Sequence, residues 1–168
     1  TTPSYISTGG NPGGYIQGVD GSTNSRWYFV APSSWDGDWR GYIGGTLRFD
    51  LLKTGDTGGV NVWNVVIYSG SSYAVWDASL TPALNVWNHY EVDLTGSYFD
   101  RIVGPAGTTF AGIMSNVTAL YILADYGGDD TGGLDNVRVD AVPIPGAAWL
   151  LGSGLVGLLA IRRRLRKP

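Results

Sequence analysis

Cysteine is absent from this 168-residue chain, histidine occurs once and methionine once. No disulfide can brace the fold and no thiolate can bind a metal. With His89 standing alone, a transition-metal site built from His and Cys is excluded as well. Glutamate is as scarce, Glu91 being the sole example. Charged residues make up only 15% of the chain, and the cations are unevenly placed. Five of them (Arg162, Arg163, Arg164, Arg166 and Lys167) lie at the far C-terminus, which leaves 6 basic against 14 acidic residues, net −8, in Thr1–Ala141. A body of that charge repels nucleic acid and has no basic patch to track phosphates. The body also lacks any long amphipathic helical pattern and any internal repeat.

What it has instead is a β pattern. Short runs rich in Val, Ile, Tyr, Phe and Trp are broken by Gly, Asn, Asp and Pro. Strands are predicted at Tyr15–Val19, Trp27–Ala31, Thr46–Leu52, Val62–Tyr68, Tyr73–Trp76, His89–Leu94, Ala119–Asp125 and Leu134–Asp140. In Thr46–Leu51 the alternation puts Leu47, Phe49 and Leu51 on one face. Ala119–Ala124 is continuously apolar, as a central strand would be. Phe110–Val117 fits one helical turn with Phe110, Ile113 and Met114 pointing inward. Many short strands with Gly-rich turns predict a two-sheet sandwich over residues 13–141, after a lead-in at 1–12. About 140 residues suffice to bury a core without staples. The chain does not begin with Met, and an export signal is expected to have been removed or to precede Thr1.

Over nearly its whole length this body resembles the laminin B domain, also called laminin domain IV. The resemblance is carried by Trp27-Tyr28-Phe29-Val30-Ala31-Pro32, Gly37-Asp38, Tyr42–Leu51, Trp87-Asn88-His89-Tyr90, Met114–Ile122, Ala124-Asp125-Tyr126 and Leu134–Val139. The sequence departs at Leu123, where the family pattern has Arg. The resemblance implies an all-β jelly-roll, galactose-binding-like sandwich of the kind found in extracellular matrix proteins and carbohydrate-binding modules, and implies no catalytic activity.

Several residues are candidate sites. His89 lies between Asn88 and Tyr90 in a strand pattern, where a lone histidine reads as structural. Acids for a two-carboxylate glycoside hydrolysis can be drawn from Asp36, Asp38, Asp125, Asp129 and Asp130, but turn aspartates meet that requirement by chance. One structural calcium is the favoured inorganic ligand, since it takes hard oxygens that Asp, Asn and Gly-rich turns present. Asp20 ends the first predicted strand and Asp135 lies in the last; in a jelly roll these strands are neighbours, so the two can share an ion. Asp125 with Asp129 and Asp130 is the rival site. Of the tryptophans, Trp27, Trp63, Trp76 and Trp87 read as core. Trp35 and Trp39 flank Asp36-Gly37-Asp38 in a loop, where indoles are hard to bury. An aromatic face beside carboxylates can stack on a sugar and accept its hydroxyl hydrogen bonds, so Trp35, Asp36, Asp38 and Trp39 form a candidate glycan site. Asn116-Val117-Thr118 has the form of a glycosylation sequon.

The last segment, residues 142–168, differs in kind. Val142-Pro143-Ile144-Pro145 precedes the apolar run Ala147–Ile161 and then the basic end, residues 162–167. As a helix the run reaches roughly 22 Å, and with its flanks it can just cross the ~30 Å hydrocarbon core. The trailing cations predict a cytoplasmic end with the body outside. Val142, Pro143 and Pro145, followed by the apolar run and Arg162-Arg163-Arg164, resemble the PEP-CTERM class of sorting signals in its Val-Pro-Leu-Pro-Ala variant, with Gly146 in place of the usual Ala. The resemblance implies a Gram-negative surface or exopolysaccharide-associated protein, held at the inner membrane by a C-terminal transmembrane helix until an exosortase-type protease acts. Gly152-Ser153-Gly154-Leu155-Val156-Gly157 matches G-x-G-x-x-G, but no strand–helix unit surrounds it and no nucleotide is expected. The leading expectation is therefore a non-enzymatic, structural or adhesive exported domain within exopolysaccharide. A module binding a defined glycan is the alternative, and a glycan hydrolase the third.

Overall fold

A computed structural model describes residues 2–19, 26–54, 62–80, 82–126 and 131–142. Among these residues ten strands form two antiparallel five-stranded sheets. The first sheet has the order β1 (Ser4–Gly10), β2 (Gly13–Val19), β10 (Thr131–Asp140), β4 (Thr46–Lys53), β7 (Trp87–Asp93). The second has the order β3 (Tyr28–Val30), β9 (Ala119–Leu123), β5 (Val65–Ser69), β6 (Ser72–Trp76), β8 (Arg101–Val103). Among the described residues a short helix, α1 (Phe110–Met114), packs against β5 and β6.

The alternation read in β4 sets the core. Leu47, Phe49 and Leu51 are buried and face Phe29, Leu120, Ile122, Val65 and Ile67 of the other sheet. Full burial of each such side chain stabilises by about 1.5–3 kcal/mol. The helical turn buries Phe110, Ile113 and Met114 as its spacing predicts, and the Thr109 hydroxyl caps it by accepting from the Gly112 amide at 3.1 Å.

The outer face of the first sheet is polar. Here the β1–β2 turn folds over β4, so that Asp50 becomes a buried carboxylate, 3% exposed. His89 Nδ1 lies 2.6 Å from Asp50 Oδ1, and Asn136 Nδ2 donates to Asp50 Oδ2 at 2.7 Å. Asn11 Nδ2 donates to the same oxygen at 3.2 Å. Asn136 sits at a bulge in β10 with φ 53°, a left-handed conformation that asparagine tolerates. The lone histidine is thus structural in its contacts. Its ring is held by a carboxylate that the turn and the bulge also hold.

The segment read as a lead-in supplies an edge strand, since β1 pairs with β2 from Ser4↔Gln17 to Gly10↔Gly13. Of the four tryptophans read as core, Trp76 is buried and Trp27 packs against the core. Trp87 lies instead on the outer face, opposite Leu52, where it meets Tyr15 edge-on at 5.2 Å and donates to the Gly9 carbonyl at 2.9 Å. Trp63 is half-buried and precedes β5. Among the described residues no helix is long and apolar enough to cross a membrane. The predicted sorting signal from Pro143 to Pro168, including Pro145 and Arg162–Arg164, lies outside the described residues.

Candidate functional site

Past Leu134, β10 leaves β2 and is paired only with β4. Its Val137–Val139 stretch forms one wall of an open groove of about 470 Å3. The other wall is the loop carrying Trp35, Asp36, Asp38, Trp39 and Tyr42. Sequence reading therefore picked four residues that the fold brings to one groove, and missed Tyr42 and Arg138, which complete it. Tyr42 lay hidden in a Tyr-Ile-Gly-Gly run that carries no charge. Arg138 comes from a strand a hundred residues away, and only strand pairing reveals it.

The loop is held firmly for its length. Pro32 sets an extended entry (φ −63°, ψ 152°), and two 3-10 turns follow, Ser33–Trp35 and Arg40–Tyr42. Between them Gly37 takes φ 130°, a conformation open to glycine, and makes a two-way bridge with Val117. Its amide donates to the Val117 carbonyl at 2.8 Å, and the Val117 amide donates back at 2.7 Å. The Trp39 amide donates to the Met114 carbonyl at 2.7 Å. Such pinning on both sides preorganises the groove before any ligand arrives.

The two indoles divide their roles. Of the two loop indoles read as hard to bury, Trp39 is buried, 6% exposed, and belongs to the core. Burial is possible because its polar atom is satisfied: Nε1 donates to the Trp35 carbonyl at 2.7 Å. Its ring lies 6.1 Å from both Trp35 and Tyr42, tilted to the first and edge-on to the second. Trp35 is half-buried and Tyr42 is 37% exposed, so these two offer aromatic surface to the groove with Trp39 as their support.

The acids also divide. Arg40 grips Asp38 from Nε at 3.0 and 3.1 Å, from Nη2 at 2.6 Å and through its backbone amide at 3.0 Å. These bonds to the Arg40 side chain lower the Asp38 pKa to about 2. Asp38 is therefore an acceptor throughout the physiological range and is ill suited to the general acid of a two-carboxylate hydrolysis. Asp36 is exposed on the rim. Facing them, Arg138 pairs with Asp140 at 3.2 Å. The loop wall thus carries Asp36 and the Arg40-bound Asp38, and the β10 wall carries Arg138.

Of the acids read as calcium ligands, Asp135 and Asp125 lie among the described residues. β2 and β10 are neighbours, as expected, but their register sets Val19 opposite Thr131, four residues from Asp135. Asp20 itself lies outside the described residues, as do Asp129 and Asp130 of the rival site. Both Asp135 oxygens already accept backbone amides, from Asn11 at 2.6 Å and Asn136 at 2.7 Å. Among the described residues no group of three or more acidic or histidine side chains is arranged to hold a metal ion.

Residues 28–147 match the profile of the family described as Laminin B (Domain IV). Among solved structures, the chain is similar to the L4b domain of human laminin alpha-2, at 14% identity and TM-score 0.65, over 84% of this chain and 85% of that one. It is also similar to the family 11 carbohydrate-binding module from Clostridium thermocellum, solved in complex with a beta-1,3-1,4-mixed-linked tetrasaccharide (19% identity, TM-score 0.54, 84% and 82% of the two chains). An exo-beta-agarase matches at 13% identity and TM-score 0.57, over 85% of this chain and 22% of that one. At these identities the likeness to solved structures is one of fold. No curated protein sequence matches the chain.

Proposed function

Because the chain belongs to the laminin B (domain IV) family, we propose that it is a non-catalytic extracellular domain that acts by adhesion to polysaccharide, with the groove beside β10 as its sugar contact. The observation that carries this reading is the convergence of Trp35, Asp36, Asp38, Tyr42 and Arg138 on one open groove of about 470 Å3. That size is typical of small-ligand sites. An aromatic face with fixed carboxylate acceptors and a facing guanidinium suits the apolar face and hydroxyl rim of a neutral pyranose. The beta-1,3-1,4-mixed-linked tetrasaccharide bound by the carbohydrate-binding module of similar fold makes neutral β-linked oligosaccharides the first ligands to try.

The test is retention of the full chain, kept in detergent, on a panel of immobilised neutral polysaccharides. Trp35→Ala is expected to weaken binding about fivefold or more, the equivalent of roughly a kcal/mol. Unchanged retention of that variant, or no neutral glycan retained by the unaltered chain, would refute the groove as a sugar site.

A second proposal concerns location and rests on the order of motif, apolar run and basic end in residues 142–168. The tail tethers the chain in the inner membrane of a Gram-negative cell with Thr1–Ala141 outside, and an exosortase-type protease later releases it to the surface or matrix. Protease added to intact spheroplasts should then digest the body. Full protection of the body would reverse the orientation.

A further inference from the structure

The outer face of the second sheet carries a continuous aromatic patch. Tyr28 on β3 meets Tyr121 on β9 at 5.6 Å between ring centroids, and Tyr121 meets Tyr68 on β5 at 4.9 Å. Tyr68 meets Tyr73 on β6 at 5.5 Å, and Tyr73 meets Trp63 at 5.7 Å. Neighbouring planes are tilted by 37–59°. These positions alternate with Phe29, Ile67, Ala74, Leu120 and Ile122, which point into the core, so the patch lies on the sheet's far side. All five rings are half-buried rather than covered. Beneath them Val66 and Val75 are at most 1% exposed although neither belongs to the central core.

Two cations complete the patch. The guanidinium of Arg26 lies 5.4 Å from the centre of the Trp63 ring and that of Arg101, on β8, lies 5.9 Å from it. Both arginines are exposed. The body has only four other basic residues. Arg40, Arg48 and Arg138 pair with carboxylates, and buried Lys53 donates to the Tyr126 carbonyl. The Asp125 carboxylate lies close enough to act on Tyr28 at one end of the patch, whereas in a body of net charge −8 the Trp63 end carries two exposed cations stacked on an aromatic floor. Trp63 also holds a left-handed backbone, φ 63°, which costs energy for a bulky residue and aims its ring over the sheet.

We propose that this face is a second binding surface, separate from the groove, for a single chain of acidic polysaccharide. The patch crosses all five strands from Tyr28 on one edge to Arg101 on the other, which suits a linear polymer lying across the sheet. Tilted rings suit one flexible chain rather than a flat, crystalline surface. Burial raises the pKa of Tyr28 and Tyr68, so their hydroxyls stay neutral and able to donate. The guanidiniums supply the charge complement for carboxylate or sulfate groups. Nucleic acid is disfavoured by the acidity of the rest of the body.

The test is affinity electrophoresis of the full chain in detergent, in gels containing polygalacturonate, dextran sulfate or neutral dextran. Retardation by either acidic polymer, weakening with added salt, is expected; which polymer acts tells carboxylate from sulfate recognition. The double variant Arg26→Gln/Arg101→Gln changes exposed side chains and should keep its melting temperature while losing at least tenfold in affinity. Trp35→Ala should leave this retardation unchanged, so failure here and failure of the groove are told apart. Equal retardation in neutral dextran, unchanged binding by the double variant, or no retardation in either acidic gel would overturn the proposal. Self-association abolished by the double variant without polymer binding would overturn it in favour of a protein interface.

Discussion

Trp39→Ala is expected to destabilise the domain by about 3–5 kcal/mol, the usual cost of deleting a buried aromatic side chain. Trp39 is 6% exposed, within the core cluster that includes Met114 and Val117. Truncation leaves a cavity beneath the loop and removes the 2.7 Å hydrogen bond from Nε1 to the Trp35 carbonyl. For a domain of this size the melting temperature should fall by about 10 °C or more. Trp35→Ala should cost less, about 1–2 kcal/mol, because the ring is only half-buried. Urea unfolding of the two variants checks this. Equal and small losses would mean that both indoles are exposed and that Trp39 is not a support. The contrast also matters for function: lost binding in Trp39→Ala would reflect a collapsed loop, whereas lost binding in a folded Trp35→Ala reports on the contact itself.

The second large effect is expected on the opposite side of the first sheet. Asp50 accepts from His89, Asn136 and Asn11 while almost wholly buried. Asp50→Ala removes three hydrogen bonds from donors on a turn, a bulge and a strand, and should cost about 3–5 kcal/mol. The pair also makes stability depend on pH. The hydrogen bond to Asp50 raises the His89 pKa above its ordinary 6.5, and Glu91 reinforces the shift. A raised histidine pKa means that the native state binds the proton more tightly than the unfolded chain. The stabilisation from His89 is therefore complete below about 6.5 and is lost as pH rises through the higher native value. Unfolding measured at pH 6 and pH 9 should show that loss in the unaltered chain and not in His89→Gln. An identical pH response in the two proteins would remove His89 as its source.

How legible this was depended on the residue. Thr46–Leu51 declared its inward face because a strand buried on one side must alternate, and β9 read as central because its outward residues Ala119 and Tyr121 are apolar or aromatic like its inward ones. The turn at α1 was legible from three apolar residues at helical spacing. β1 was not, because Ser4–Gly10 is an edge strand built from Ser, Thr and Gly around Tyr5 and Ile6. β8 is only three residues long and gives no period to read. Trp63 was misread as core because it sits in an apolar run, but its positive φ breaks that run before β5 and turns the indole onto the outer face. The groove was half legible. Aromatic and acidic residues clustered in one loop can be seen in sequence, whereas Val137–Val139 join them through the pairing of β10 with β4. Which indole lies inside depended on whether the Trp39 nitrogen finds a partner, and the partner is the backbone of Trp35 itself.

The central claim is that a sugar binds in the groove against Trp35. The most direct measurement is an NMR titration of the full chain in detergent micelles with neutral β-glucan oligosaccharides, following the tryptophan indole N–H resonances. The account predicts saturable shifts of the Trp35 resonance, with a smaller response at Trp39 behind it and none at Trp63 on the far sheet. Saturable shifts confined to Trp63, or no shift of Trp35 with any neutral oligosaccharide, would contradict it.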